Sequence, residues 1–553
     1  MVRKPGKGSR KISSFQTPRV VYQPEAVEKM WAGIDRLVRL ISPTLGPLPR
    51  IVAIEAVGSR TAKPELLDSG GTIAQREIQL PDRGEDVGAM ILRQVLDELQ
   101  ESEGDGTATA AVMFGVIFDR GRRYLTAGGN PIRLRRYLEE GMKLILSELD
   151  RQRLQLQGKE QLSRLARAIC FDDEMAKMAG EIFDIIGAYG RLEVRRGSTL
   201  GLEREYVEGM YWNGGFRSRE MANADHGLRA NLENAAVLIT DLDIDSPEQL
   251  VPVLQTVIDE GIQQVLLVSN TLSERAMGLL LARPNREKVF VVAVKTPGLT
   301  NTARQEAIED LAVLTGGRAL TKAAGDRLEA VRAQDFGRAR RAWADSRSFG
   351  LSGGRGNPRA LRQHIAGLRQ MLHGANGDDR KRLLERLGQL IGGSAILYVG
   401  GSSPTAVEAR TQLAKRTAEA MRGAIREGIA PGGGTALLNC RPALRRRLAD
   451  HSADDDARAA YAILLAAVEA PFRVLAANAG FDPNRLLFEL EAAGNHCVFD
   501  ALTGRILNLR EAGIYDSLAV VKAAVRGAVG GATLGLTAGA VVHRRNPPEQ
   551  PVT

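Results

Sequence analysis

Cysteine is scarce in this chain of 553 residues: Cys170, Cys440 and Cys497 stand far apart and form no CxxC pair. That spacing argues against a disulfide framework and a cysteine zinc site, and it fits a reducing compartment. The six histidines fall at no HxxxH or HExxH spacing, which argues against a histidine metal site. Aromatic residues make up only 5%. No run of about eighteen apolar residues occurs and no apolar segment follows the basic start, so neither a membrane span nor a secretory signal is expected. The expectation is a soluble, cytoplasmic protein. No GxxxxGK[ST] phosphate loop is present either.

What is present is an ordinary globular composition, 44% hydrophobic and 25% charged, on a chain long enough for about three domains. The net charge is +9, and part of it is local, since residues 1–19 hold six Lys or Arg and no acid. Such a stretch reads as a solvated disordered arm, or as a contact for nucleic acid or an anionic surface.

Apolar periodicity predicts helices over 25–45, with Ala26, Met30, Ile34, Leu37 and Ile41 on one face, and over about 86–100 and 107–125. The middle differs: "NAAVLITD" (234–241), "IQQVLLVSN" (262–270) and "KVFVVAVK" (288–295) are short valine-rich runs separated by helical patterns. Strand–helix alternation of this kind predicts a parallel sheet in an α/β domain. An Arg/Leu/Gln-rich stretch over 361–390 reads as helical, with a hairpin around "HGANGDD", and helices return over 405–478. "GAVGGATLG" (527–535) is expected to be a loop or a site of close packing. Helical, α/β, helical is a nested order, and an inserted domain explains it. "EGM" (208–210) and "GGSA" (392–395) are the expected hinges, because glycine absorbs backbone rotation.

The stretch "GDGTATAA" (104–111) carries the chemistry. Its glycines admit a ligand close to the backbone, its carboxylate and hydroxyls suit a hard cation and phosphate, and the helix start after it offers N–H groups to an anion. Thr107 is placed to cap that helix. A capped interhelical turn with no ligand is the plain alternative.

Together with "TLGP" (44–47), "QREIQL" (75–80), "AGGNP" (127–131), "VEGM" (207–210), "VAVKTPG" (292–298), "DLAVLTGG" (310–317) and "REGIAPGGG" (426–434), this stretch resembles the group I chaperonins of the bacterial GroEL type, in family order over roughly residues 22–541. The resemblance implies a mainly α chain with an α/β insert, in three domains. An equatorial ATP-binding domain would take 22–151 and 427–541, an intermediate domain 152–207 and 395–426, and an apical substrate-binding domain 208–394, with a basic arm at 1–21 and a polar tail at 542–553. It further implies ATP with Mg²⁺, and K⁺ as a further ion. The partners implied are a ring of copies of this chain, seven to a ring, or a ring mixed with a conventional chaperonin, together with a lid co-chaperonin and unfolded polypeptide clients.

Carried over by position, Asp105 would ligate Mg²⁺, and Gly106, Thr107, Ala108 and Thr109 would cradle phosphate, Ala108 standing where the family has threonine. Thr44, Leu45, Gly46, Pro47 and Ser69 would line the nucleotide, Gly433 would pack on the ribose or base, and Asp516 would bond the ribose hydroxyls. Asp500, Ala501 and Leu502 replace the family's Asn-Ala-Ala beside adenine. The implied polypeptide-binding positions are Phe216, Met221, Val251, Leu254, Met277, Leu280 and Leu281. Glu220 stands among them where an aromatic is usual.

Two departures bear on turnover. Gly70 occupies the place of a water- and metal-organising aspartate, and Ser69 that of its neighbouring lysine. Arg416 stands where the family has the aspartate that positions the attacking water, sixteen residues before the glycine triplet. Arginine neither accepts a proton nor orders water as a carboxylate does. Asp68, two residues from Gly70, and Glu419, one helical turn from Arg416, are the candidate substitutes. The family's Gly-Met-rich tail is absent, and the basic charge is unusual for it. These departures predict slow or absent ATP hydrolysis in a divergent paralogue. The readings to separate are a folding chaperone, a chaperonin-like scaffold that holds ATP as a structural ligand, and a nucleic-acid binder working through its basic arm.

Overall fold

The computed structural model describes residues 20–47, 49–55, 65–76, 80–156, 158–187, 190–207, 209–223, 228–375, 377–391 and 393–543. The basic arm over 1–19, most of the polar tail, and the hinge residues Glu208 and Gly392 lie outside the described residues. The chain forms two compact units, one of residues 1–156 with 426–553 and one of 157–425. The nested order is as expected. The segments assigned to an intermediate domain fall almost wholly in the second unit.

The first unit is a helical core built from both chain ends. Helix Glu25–Ile41 buries Met30, Ile34, Leu37 and Ile41 on one stripe, and Arg83–Glu103 and Thr107–Thr126 do likewise with Leu92, Leu96, Phe114 and Phe118. These meet Leu464, Val468, Val525 and Val529 from the C-terminal segment in one cluster. Strands Val20–Tyr22 and Ala540–Val542 close the unit by antiparallel pairing, Val21 opposite Val541.

Of the two alternatives expected for 527–535, close packing holds. "GAVGGATLG" is no loop but the second half of helix Leu518–Leu536. Its glycines mark close packing: a Cβ on Gly531 would lie 2.6 Å from Val95 Cγ2, and one on Gly535 2.7 Å from Phe118 Cε2. Helices Asp455–Asn478 and Leu518–Leu536 are also long and apolar enough, by length and composition, to cross a membrane. Most of both is buried in this core, which accounts for their apolar character.

The second unit holds a seven-stranded sheet. Strands Phe290–Lys295, Gln264–Ser269, Arg229–Thr240 and Ala319–Leu320 lie side by side and parallel. Gly337–Asp345, Ser348–Gly354 and Met210–Asn213 extend the sheet antiparallel. The sheet is therefore mixed rather than wholly parallel: Gly337–Asp345 and Ser348–Gly354 form a tight hairpin, and Met210–Asn213, the earliest strand of the sheet, pairs at its edge. Helices Val251–Asp259, Glu274–Leu281 and Asn301–Thr315 follow the parallel strands.

The expected hairpin is present as helices Pro358–Gly374 and Gly377–Ile391, with its own cluster of Leu368, Leu372, Leu383, Leu387 and Leu390. It is fixed to Asn301–Thr315 through the fully buried Asp310. That carboxylate accepts from Arg386 Nε at 2.9 Å and Nη2 at 2.7 Å, and has His364 Nε2 at 2.6 Å. A three-stranded sheet, Arg191–Arg196, Ser394–Val399 and Leu202–Val207, completes the unit with helices Gly158–Cys170, Asp173–Ile186 and Pro404–Glu427.

Candidate nucleotide site

Six loops that are remote in sequence converge in the first unit. The turn at Gly104–Gly106 is sharp enough to need both glycines, at φ +72° and +84°. Gly104 caps the preceding helix and Gly106 stands at the N-cap of the next. Thr107 is thus the first helical residue and not the cap, a correction to the expected role of its hydroxyl; it is buried. Asp105, between the glycines, is exposed, and its Oδ1 accepts from Gly106 N–H at 2.7 Å. Ala108 and Thr109 follow in the first helical turn, both partly exposed.

Opposite stands Asp516, on strand Tyr515–Ser517, which pairs with Ile429–Pro431 just before the glycine triplet. Its carboxylate accepts from the backbone N–H groups of Gly433 and Gly434, which favours the charged form. Burial and the Asp105 charge outweigh them and push its pKa up to about 7. The two carboxylates interact, Asp105 exposed and Asp516 partly exposed, and a divalent cation on Asp105 would relieve their repulsion.

The remaining walls follow. Gly70 opens helix Gly70–Arg76, with Ser69 buried before it and Asp68 exposed in the preceding link. A Cβ on Gly70 would lie 2.6 Å from Ile41 Cγ2, 3.2 Å from Thr107 Oγ1 and 3.5 Å from Ala108 N. The position thus faces the start of the Thr107–Thr126 helix and is closed by Ile41, itself fully buried. Thr44 donates its hydroxyl to Ile41 O at 2.8 Å. Leu45 packs on the cluster of Phe472, Leu475 and Phe499, and Leu475 Cγ lies 3.5 Å from a Cβ built on Gly46. Pro47 is partly exposed beside them. A Cβ on Gly433 would lie 3.4 Å from Phe499 O, which joins the glycine triplet to the 500–502 turn.

In that turn Asp500 is occupied locally, accepting from Leu502 N–H at 3.0 Å and Thr503 Oγ1 at 2.6 Å. Ala501 is buried and Leu502 is exposed. Of the candidate substitutes, Glu419 is engaged too: Arg422 Nη1 donates to its Oε1 at 2.5 Å. Arg416 and Glu419 both stand on helix Pro404–Glu427 in the second unit.

Sequence reasoning missed Asn478, whose Nδ2 donates to the Ser42 and Leu45 carbonyls at 2.9 Å each and so holds the "TLGP" turn. It also missed Val520, whose Cγ1 would lie 2.6 Å from a Cβ on Gly106, and Ile41 over Gly70. None had a local signal, since each acts on a loop distant in the chain or through packing alone.

The polypeptide positions divide. Phe216, Met221 and Leu280 are core residues of the α/β lobe, a correction to their expected exposure. Phe216 bridges to Val294, and Met221 Sδ accepts from Ala293 N–H at 3.3 Å. Val251 is 53% exposed, and Leu254, Met277 and Leu281 are half-buried against the same core. Glu220 is exposed beside Arg219.

A model of the TCP-1/cpn60 chaperonin family matches residues 37–546. The chain belongs to that family. Among solved structures it is similar to the chaperonin gp146 from the bacteriophage EL 2 (Pseudomonas aeruginosa), crystallised in presence of ATP-BeFx. The match to crystal form I has a TM-score of 0.74 and 18% identity, over 95% of this chain and 99% of that one. Crystal form II matches at 0.61 with the same identity and coverage. Helical and α/β units built in nested order are the fold they share.

Proposed function

We propose that this chaperonin binds Mg-ATP between the 104–109 turn, the 433–434 glycines and Asp516, and hydrolyses it slowly or not at all. The carrying observation is that Asp105, just before the Thr107–Thr126 helix, lies close enough to Asp516 for its charge to act on that carboxyl, which also bonds the Gly433 and Gly434 N–H groups. Asp105 would hold Mg²⁺, which supplies charge neutralisation to the phosphates when bound. The N–H groups at the helix start and Thr107 to Thr109 favour phosphate oxygens. Asp516 and the 433–434 backbone orient the sugar end, and Leu45 and Leu502 offer apolar surface to the base.

What favours slow turnover is the place taken by Gly70. It has no carboxylate to order water, and Ile41 fills the space one would need. Glu419 pairs with Arg422, and Arg416 has no lone pair with which to activate water. Loss of such a base reduces rate by roughly 10²–10⁴ while leaving binding intact. K⁺ beside the phosphates, a ring of seven copies or a mixed ring, a lid co-chaperonin and unfolded clients belong to the same reading. So does a cytoplasmic location, which the three free thiols support.

A second reading, a non-hydrolysing ring or scaffold with ATP as a structural ligand, is favoured by the closed space at Gly70. Single-turnover hydrolysis of radiolabelled ATP with Mg²⁺ and K⁺ separates the two. We expect tight nucleotide retention with phosphate release at least a hundredfold below that of a conventional chaperonin. Retained ATP without any release selects the scaffold, and rapid release overturns the reading of Gly70 and Arg416.

A further inference from the structure

Among the described residues, two arginines of the α/β lobe bond the same asparagine and have no acidic partner, at the carboxyl ends of its parallel strands. From Arg229–Thr240 the chain passes outward to Gln264–Ser269 and Phe290–Lys295, then returns to the opposite side as Ala319–Leu320. A reversal of this kind leaves a crevice between the ends of Arg229–Thr240 and Ala319–Leu320, lined by Leu242, Asp243 and Lys322, and Asn270 borders it through its bond to Asp243.

Asn270, directly after the Gln264–Ser269 strand, collects both cations. Arg217 Nη2 donates to Ser269 O at 2.9 Å and to Asn270 O. Arg304 donates from Nη1 to Asn270 Oδ1 at 3.1 Å and from Nε to Gly298 O at 3.2 Å. Among the described residues neither guanidinium has a carboxylate within ion-pair distance. Burial alone lowers the Arg217 pKa, with no acid opposing it. Arg217 Nε is buried without a hydrogen-bond partner, as is the hydroxyl of the fully buried Ser269.

The carboxylate within this network is already taken. Asp243 accepts from Asn270 Nδ2 at 2.8 Å and Thr271 Oγ1 at 2.6 Å, and Lys322 Nζ pairs with its other oxygen. Arg304 also sits in the first turn of the Asn301–Thr315 helix, where the unpaired N–H groups add positive potential.

Arg217 is part-buried with its Nε unpartnered, and Arg304 is joined to it through Asn270, so an arriving carboxylate can accept from forked N–H donors of both. We propose that Arg217 and Arg304 form a carboxylate-binding site through which the α/β lobe takes acidic side chains of a polypeptide. This deepens, and rests on, the reading of the lobe as client-binding. Leu299, 97% exposed in the loop that supplies Gly298, offers an apolar contact next to it. The favoured segment pairs an acid with an apolar residue.

The test measures fluorescence anisotropy of a labelled Gly-Glu repeat dodecapeptide, and its Gly-Gln counterpart, with the full-length protein at physiological salt. The Gly-Glu peptide is expected to bind at least about tenfold tighter, and Arg217→Met or Arg304→Met to remove about tenfold or more. Arg359→Met with Arg362→Met, both exposed on the Pro358–Gly374 helix, removes two charges elsewhere and should leave binding unchanged. Equal loss in that control, or no preference for the acidic peptide, overturns the proposal. Should Arg217→Met fail to fold, Arg304→Met decides alone. Suppression of aggregation of a denatured protein is read in parallel. Acidic-peptide preference without suppression sinks the client reading and keeps the site; suppression without the preference sinks the site alone.

Discussion

At the scale of single residues, the pocket is defined by Asp516 and by the closure over Gly70. Asp516 is a carboxyl raised from 3.8 to about 7 in the folded chain. A raised folded pKa means that the native state holds a proton which the unfolded chain releases first. Its stabilising contribution is complete below about pH 4 and is lost as pH rises through about 7. The nucleotide-free protein should therefore melt at progressively lower temperature between pH 5 and 8, and Asp516→Asn should flatten that slope, read by calorimetry. An unchanged slope in the variant would show that other groups control it. At Gly70, replacement by Asp should destabilise by ~1–3 kcal/mol, because the new Cβ meets Ile41 Cγ2 at 2.6 Å. Combining it with Ile41→Ala gives back the space, so urea midpoints of the single and double variants decide whether packing closes this position. Neither feature is legible locally: the sequence shows a glycine and an isoleucine 29 positions apart, and only their contact gives them meaning.

Elements show how far patterning reaches. Alternating strands and helices predicted the α/β lobe because apolar runs and amphipathic stripes are local, and the hairpin around "HGANGDD" followed from its turn residues. The antiparallel extension of the sheet was not legible, since pairing partners are set by chain return and not by the composition of a strand. At 527–535 glycine left a loop and close packing both open. In isolation it suggests a break, yet helix Leu518–Leu536 tolerates it because Val95, Phe114 and Phe118 press against that face. Gly531→Val should therefore destabilise by ~1–3 kcal/mol despite the poor helix propensity of glycine. A denaturant titration that shows stabilisation instead would mean the face is loosely packed. Asn478 belongs to this scale as well, since it ties a helix end to a loop 433 residues earlier. Asn478→Ala leaves the Ser42 and Leu45 carbonyls short of a donor and should weaken nucleotide binding several-fold by isothermal titration, with helix content unchanged.

For the whole molecule, the division into two units has a direct consequence. Residues 157–425 are one uninterrupted chain with its own apolar cluster around the mixed sheet. The other unit needs both chain ends to complete its core. A fragment of 157–425 should fold and melt cooperatively by circular dichroism, whereas residues 1–156 alone should not. A fragment of 157–425 that stays unfolded would mean its core depends on the helical unit.

By itself, the sequence determined the family, the nested order of helical and α/β segments, and the motifs that converge on a nucleotide, because periodicity and turn chemistry act over a few neighbouring residues. The tertiary structure alone decided which of the expected apolar contact residues are buried, that the Asp105 charge acts on Asp516, and that Ile41 occupies the space at Gly70. Burial and the pKa of a carboxyl depend on atoms brought from hundreds of residues away, and no local pattern records which atoms those are.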